Sequence, residues 1–165
     1  MSPRPTGLLQ LTHGGRDLVL TRTFRADIED VWASITEPAR TARWFGTWSG
    51  DAGPGKTIRF RPTFEEGATD GDMVIDACEP PQHLAVSAAD EFGTWHLDAR
   101  LEQSGATTTM TFTHHLDADA DAGSVGPGWE YYLDMLVAAR EGSAMPNFDD
   151  YYPAQQAYYE SLGTS

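Results

Sequence analysis

The most specific chemical motif in this chain is a phosphate-loop pattern at residues 50–57. The segment GDAGPGKT fits G-x-x-x-x-G-K-[ST] at every position. This pattern binds phosphate where it joins a buried strand to a helix, because backbone N–H groups and the helix dipole then meet the anion. The residues that follow, IRFRP, alternate as a strand does and supply no helix. We therefore predict a glycine-rich hairpin turn here, without nucleotide binding.

A second motif begins like a calcium-binding loop. Asp117, Asp119 and Asp121 have the spacing of the first ligands of such a loop. The position that requires glycine is Ala122, and the position that requires a bidentate glutamate is Gly128. We predict a solvated acidic loop.

The histidine and cysteine residues do not indicate a metal site or a catalytic site either. His114 and His115 are neighbours on a predicted strand, so they point to opposite faces and cannot hold one metal ion together. Cys78 is the only cysteine, and no histidine is placed by the sequence to activate it. No serine lies in a nucleophile elbow. We expect no metal site and no cofactor, and no catalytic residue can be named.

Two polar side chains, Arg22 and His114, fall on otherwise apolar strand faces. Arg22 alternates in step with Leu18 and Leu20, and His114 with Phe112. A polar group on an inward face needs a protein partner, water or a ligand. Pairing within the protein is the more general outcome, and contact with a ligand is the alternative.

Aromatic residues are numerous, at 11% of the chain. Several of them could form the wall of a pocket for a planar apolar ligand, while ordinary core packing is the alternative. Trp48 belongs to this aromatic set. The residues that we predict to contact a ligand are Trp44, Phe45, Trp95, Phe112, His114, Trp129, Tyr132 and Arg22.

The elements that must position these residues follow from hydrophobic periodicity. Residues 128–141 form one amphipathic helix, because apolar residues recur at helical spacing. Two short helices are predicted at 28–35 and 38–45, after a first strand at 17–25. Period-two alternation predicts further strands, at 57–62, 72–79, 83–89, 93–103 and 106–116. Strands followed by a long helix indicate an α+β domain, in which a curved antiparallel sheet of six or seven strands wraps around the C-terminal helix.

The rest of the chain is assigned to flanking segments. Residues 1–16 are rich in Pro, Gly and Thr and are predicted to be a flexible lead-in to a domain at 17–142. Residues 143–165 are predicted to be a tyrosine-rich tail, ending in a short helix packed on the surface of the domain.

Charge excludes some classes of partner. The formal net charge of the 165-residue chain is −14, so its surface repels phosphate backbones and anionic lipids. We expect no nucleic-acid partner, no membrane partner, and a monomer or homodimer. No apolar stretch approaches membrane-spanning length, and the N-terminus does not resemble a signal peptide. A single cysteine suits a reducing compartment, so we expect the cytoplasm.

The order of elements resembles the START/Bet v 1-like (SRPBCC) superfamily, which has the helix-grip fold. Segments at 27–32, 42–45 (ARWF), 78–84 (CEPPQHL), 111–114 (TFTH) and 128–136 are similar to its branch related to the activator of Hsp90 ATPase. The resemblance covers roughly residues 17–142.

This resemblance implies a function class and no fixed catalytic set. Relatives bind hydrophobic small molecules, act as aromatase/cyclases or contact a chaperone. We expect binding of a small hydrophobic or aromatic ligand in a cavity between the sheet and the C-terminal helix. The alternatives are a small-molecule enzyme of the aromatase/cyclase or hydrolase type that uses His114 or Arg22 in the same cavity, and a chaperone or protein-interaction module that uses the tyrosine-rich tail.

Overall fold

The computed structural model describes residues 4–63, 70–90, 93–117 and 120–162. Its strands are β1 (Leu8–Thr12), β2 (Gly15–Phe24), β3 (Gly46–Ser49), β4 (Thr57–Pro62), β5 (Gly71–Glu79), β6 (His83–Asp90), β7 (Gly93–Ser104) and β8 (Thr107–Asp117). Its helices are α1 (Ile28–Thr36), α2 (Pro38–Thr41), α3 (Ala122–Glu141) and α4 (Gln156–Leu162), with one 3₁₀ turn at Phe148–Asp150.

All eight strands form one antiparallel sheet, in the order β1-β2-β8-β7-β6-β5-β4-β3. The sheet is curved and open, and α3 packs on its apolar face. Leu133 and Leu136 of α3 are buried against Leu18, Leu20 and Met110 of the central strands. The predicted α+β helix-grip architecture is therefore confirmed.

The sheet has eight strands, so the predicted number of six or seven is too low. The two additional strands are β1 and β3, which are the two edges of the sheet. They are only five and four residues long. Short edge strands bury little apolar surface, which explains why neither produces a clear alternating pattern.

Helix α3 begins at Ala122, six residues before the predicted start at Gly128. The Asp121 side chain caps it by accepting a hydrogen bond from the Gly123 backbone N–H at 3.0 Å. The first turns are rich in glycine and contain Pro127, residues of low helix propensity. The amphipathic pattern therefore becomes visible only after them.

Both flanking segments belong to the packed structure: the described part of the lead-in is not flexible as predicted, whereas the tail does end in a short packed helix, α4, but its tyrosines are buried more deeply than a surface position implies. The predicted flexible lead-in contains β1, which pairs with β2 along its whole length. In the tail, Tyr159 has no exposed surface and Tyr151 is only 2% exposed. Their hydroxyls donate hydrogen bonds to Glu130 at 2.5 Å and to Asp134 at 2.8 Å. The tail is thus part of the core and does not merely cover the surface.

The phosphate-loop pattern forms the connection between β3 and β4. Gly50 and Gly55 have φ angles of 112° and 81°, a backbone region that favours glycine. The chain continues from Thr57 as strand β4, as predicted, and residues 50–63 contain no helix. The helix N-terminus that phosphate binding needs is therefore missing from this segment.

Candidate functional site

An apolar cavity of about 160 Å³ lies between the sheet and the helices. One wall comes from α1 and α2 and the residues after them, and another comes from Trp129 and Leu133 of α3. The floor is formed by strands β4 to β8. Alternation builds that floor, because every second residue of a strand faces the same side. In β5 a shift in register between Ile75 and Ala77 interrupts the alternation and brings Cys78 to the same side as Ile75. The floor side chains are Ile58, Phe60, Met73, Ile75, Cys78, Leu84, Val86, Leu97, Ala99, Met110 and Phe112.

Phe45 is the centre of the aromatic wall. Its ring centroid lies 5.3 Å from Trp44, 4.7 Å from Phe60, 5.7 Å from Trp129 and 5.2 Å from Tyr132. These separations fall within the range of favourable aromatic pairs. Residues 38–45 were predicted to be helical throughout, but α2 ends at Thr41, and Phe45 follows in a turn.

The three tryptophans that line the cavity direct their polar atoms to protein partners. The Nε1–H of Trp44 donates to the Ser34 carbonyl at 2.8 Å, and that of Trp48 donates to the Thr36 carbonyl at 2.8 Å. Trp129 donates to Nδ1 of His114 at 3.0 Å. Because each indole donor is already used, these rings offer only carbon to a ligand.

His114 is buried beside the cavity but does not line it. Its Nδ1 accepts the Trp129 hydrogen bond, so the neutral ring carries its proton on Nε2. Burial lowers the pKa of His114 to about 4, with smaller contributions from the nearby His115 and His96. Trp95 stacks on the other side of the imidazole, with ring centroids 4.9 Å apart. At neutral pH this histidine is uncharged.

Arg22 lies outside the cavity and is held by two acidic residues of α3. Its guanidinium donates to Glu130 at 2.9 Å and to Asp134 at 3.0 Å. Burial opposes the charge of Arg22, but the hydrogen bond to Glu130 and the charge of Asp134 outweigh it and raise the pKa. Arg22 is therefore paired within the protein, as a polar group on an inward face should be.

Glu130, which the sequence reasoning did not single out, is the centre of this network. Burial alone would raise the pKa of Glu130, but hydrogen bonds from Tyr159, Arg22 and Thr6 outweigh burial and lower the pKa. The backbone N–H of Gly7 also donates to it, at 3.2 Å. The network joins the N-terminal segment, β2, α3 and α4.

Four of the eight predicted ligand-contacting residues line the cavity: Trp44, Phe45, Phe112 and Trp129. Tyr132 contacts Phe45 from behind the wall, and His114, Trp95 and Arg22 lie elsewhere. Contact of any of the eight with a ligand remains a prediction.

Sequence reasoning missed much of the cavity floor. Trp48, one of the aromatic residues considered for a pocket wall but not among the eight predicted ligand contacts, does line the cavity, and it lies on strand β3, in a segment predicted to be loop. Ile58, Phe60, Met73 and Ile75 could have been found from alternation, which places each pair on one face of its strand. Only the register between strands β4 and β5 reveals that the two pairs belong to the same cavity floor.

Metal ligation finds no support in the part of the chain that the structure describes, where no three His, Cys, Asp or Glu side chains are grouped to hold an ion. Asp121 acts as the cap of α3, and Asp119 lies outside the described residues. None of the helices in the described ranges is long and apolar enough to cross a bilayer.

A curved antiparallel sheet that holds a long C-terminal helix over an internal cavity defines a Bet v 1-like protein of the helix-grip class. Within that class, the model of the family Activator of Hsp90 ATPase homolog 1-like protein matches residues 25–141. The chain belongs to this family, as the resemblance implied. No curated protein matches the chain.

Solved structures support the same fold. The crystal structure of CalU16 from Micromonospora echinospora is similar, with a TM-score of 0.79 and 24% identity over 98% of each chain. A conserved protein from Enterococcus faecalis, EF2215, gives a TM-score of 0.73 at 18% identity over 94% of this chain and 88% of its own. DynU16, from the dynemicin biosynthetic locus, gives 0.69 at 20% identity, over 80% of this chain and 50% of its own.

Proposed function

We propose that this protein binds a small, predominantly apolar or aromatic molecule in the cavity beneath Trp44, Phe45 and Trp129. The observation that carries the proposal is the lining of the cavity, which is formed mainly by aliphatic and aromatic side chains. A concave, mainly apolar space of this kind is the usual make-up of a small-molecule site. One structural relative comes from a biosynthetic locus, which agrees with a small-molecule role.

The size of the cavity limits the ligand. Its volume of about 160 Å³ is close to the ~150 Å³ of an apolar protein cavity that holds benzene. One aromatic ring with a short substituent fits, whereas fused rings require the wall to move. A ligand of about ten non-hydrogen atoms gains roughly 5 to 7 kcal/mol, which corresponds to a Kd of roughly 10 to 200 µM.

The described residues do not favour the enzyme alternative. General acid–base catalysis needs a titratable group within hydrogen-bond reach of the substrate. His114 lies outside the lining and is hydrogen-bonded to Trp129, and Arg22 is paired with Glu130 and Asp134. The lining does include two titratable residues, Cys78 and Asp98, and the Asp98 carboxylate is already hydrogen-bonded to His83 at 2.6 Å. The interaction-module alternative is weakened too, because Tyr151 and Tyr159 of the tail are buried.

The test compares two alanine-to-leucine variants on neighbouring strands. Ala99 of β7 lines the cavity, while Ala85 of β6 lies on the opposite face of the sheet. Ala99→Leu fills part of the cavity with three added carbon atoms, whereas Ala85→Leu adds the same atoms outside it. Binding of fluorobenzene and fluoronaphthalene is measured by fluorine NMR for both variants and the wild type.

We expect fluorobenzene to bind the wild type and the Ala85→Leu variant equally. Its affinity for the Ala99→Leu variant should fall at least about tenfold, because the side chain occupies the space of the ring. Equal binding to both variants, or no binding of either probe to the wild type, would refute the proposal.

A further inference from the structure

A second concave site lies between α1, α2 and α3, and its chemistry is opposite to that of the apolar cavity. It is a cleft of about 150 Å³ lined by Arg40, Arg43 and Arg140, with Asp30 and Ser34 on the α1 side. Three of the 11 basic residues of this strongly acidic protein therefore converge on one small space.

Arg140 is fixed in place at the base of the cleft. Its side chain is 15% exposed and donates to the Asp30 carboxylate at 2.8 Å and to Ser34 Oγ at 2.7 Å. The guanidinium also lies 5.6 Å from the ring centre of Phe24. A guanidinium held in this way is pre-organised, so its side chain loses little conformational entropy when a ligand binds to it.

The other two arginines keep most of their hydrogen-bonding capacity. Arg40 donates to Asp30 at 3.1 Å and lies 3.8 Å from the Glu37 carboxylate, with 44% of its side chain exposed. The guanidinium of Arg43 is exposed and makes no hydrogen bond or ion pair with any residue that the structure describes. Each guanidinium carries five N–H donors, so the cleft has donors to spare.

The charge balance favours an anion as the occupant. Asp30 and Glu37 neutralise two of the three arginines, which leaves one positive charge at the rim beside the polar cleft. Simple ion pairing explains Arg140 and Arg40, but it does not explain why Arg43 also borders the cleft. Arginine forks match the planar or tetrahedral oxygens of carboxylates and phosphates.

We propose that this arginine cleft binds a small oxyanion, the carboxylate or phosphate group of a metabolite, at a site separate from the apolar cavity. Trp44 lines both spaces, so its indole forms their common wall. Binding in the cleft is therefore visible at the Trp44 indole N–H, which donates to the Ser34 carbonyl between the two sites.

The experiment titrates inorganic phosphate and acetate separately into the wild-type protein at constant ionic strength. The chemical shifts of the Trp44 indole N–H and of the arginine Nε–H groups are followed by NMR. We expect saturable shifts with a Kd of roughly 1 to 10 mM for at least one anion. Preference for phosphate identifies a phosphate ester as the natural group, and preference for acetate identifies a carboxylate.

Two matched variants distinguish specific anion binding in the cleft from nonspecific attraction of anions to any arginine on the surface. Arg43→Gln removes the arginine that has no side-chain partner among the described residues, and Arg25→Gln removes an exposed arginine that does not border the cleft. Arg43→Gln should weaken binding about fivefold or more, and Arg25→Gln less than twofold. The proposal is overturned if neither anion saturates below about 50 mM. It is also overturned if the two variants weaken binding equally.

Discussion

Removal of the Tyr159 hydroxyl should destabilise the fold far more than removal of the hydroxyl beside it in the sequence. The Tyr159 phenol is fully buried and donates at 2.5 Å to Glu130, whose side chain is 1% exposed. Tyr158 also donates one hydrogen bond, at 2.7 Å, but to the neutral carbonyl of Gly7. Tyr159→Phe and Tyr158→Phe delete the same atom from adjacent positions. The acceptor of Tyr159 is charged and that of Tyr158 is neutral; the Tyr159 hydroxyl is also more deeply buried and accepts a further hydrogen bond from the Gly7 N–H at 3.1 Å.

The size of the difference follows from that charge. A hydrogen bond to a charged group contributes about 1.5 to 3 kcal/mol, against about 0.5 to 1.5 kcal/mol for a neutral pair. For a chain of this length, 1 kcal/mol shifts Tm by about 2 to 4 °C. We expect Tyr159→Phe to lower Tm by roughly 3 to 12 °C, and Tyr158→Phe by roughly half as much or less. Urea unfolding followed by tryptophan fluorescence gives the free energies directly.

The pH dependence of the free energy of unfolding provides a second test of the hydrogen bond between Tyr159 and Glu130. Hydrogen bonds keep the folded-state pKa of Glu130 below its ordinary value. The resulting stabilisation is complete above the unfolded pKa of about 4.3 and is lost as the pH falls through the folded value. The free-energy gap between wild type and Tyr159→Phe should therefore be full at pH 7 and shrink below about pH 4. Equal costs for the two variants, or a gap that stays constant on acidification, would refute this reasoning.

Two further predictions concern the buried His114 and the tail. Because the folded-state pKa of His114 is about 4, against an ordinary 6.5, stability should decline as the pH falls from about 6.5 to 4. His114→Gln should reduce that decline, and an NMR titration midpoint near 6.5 would contradict the account. A chain that ends at Gly142 loses the buried Tyr151 and Tyr159, so we expect no cooperative thermal unfolding by circular dichroism. A cooperative transition within a few degrees of wild type would contradict it.

Most of the sheet could be predicted from sequence because its strands alternate. Leu97 and Leu101 on β7, like Met110 and Phe112 on β8, repeat at period two, and all four face the core. Alternation reports only which residues share a face within one strand. It does not report which strands are neighbours. That Ile58 and Met73 lie side by side in the cavity floor is known only from the register of their strands.

The two edge strands and the deep burial of the tail could not be predicted, because both depend on contacts with residues that are distant in the sequence. At Gly126 a Cβ atom would lie 2.4 Å from the Tyr159 ring, so this glycine permits the close packing of α4 on α3. In the sequence the same glycine reads only as a weak helix former. Glu130 likewise reads as a surface residue of an amphipathic helix, and its burial depends on Arg22, 108 residues earlier.

The central claim, that the apolar cavity takes up a ligand, is tested most directly by the reactivity of Cys78. This thiol lines the cavity and is the only one in the chain, so its modification by a small neutral reagent such as methyl methanethiosulfonate reports on that space alone. Fluorobenzene should slow the modification with a saturation midpoint equal to its Kd from fluorine NMR. Fluorobenzene should slow the modification of Cys78 in the Ala85→Leu variant as much as in the wild type, and much less in the Ala99→Leu variant. A rate for Cys78 that stays unchanged while fluorobenzene is bound would place the ligand elsewhere and contradict the account.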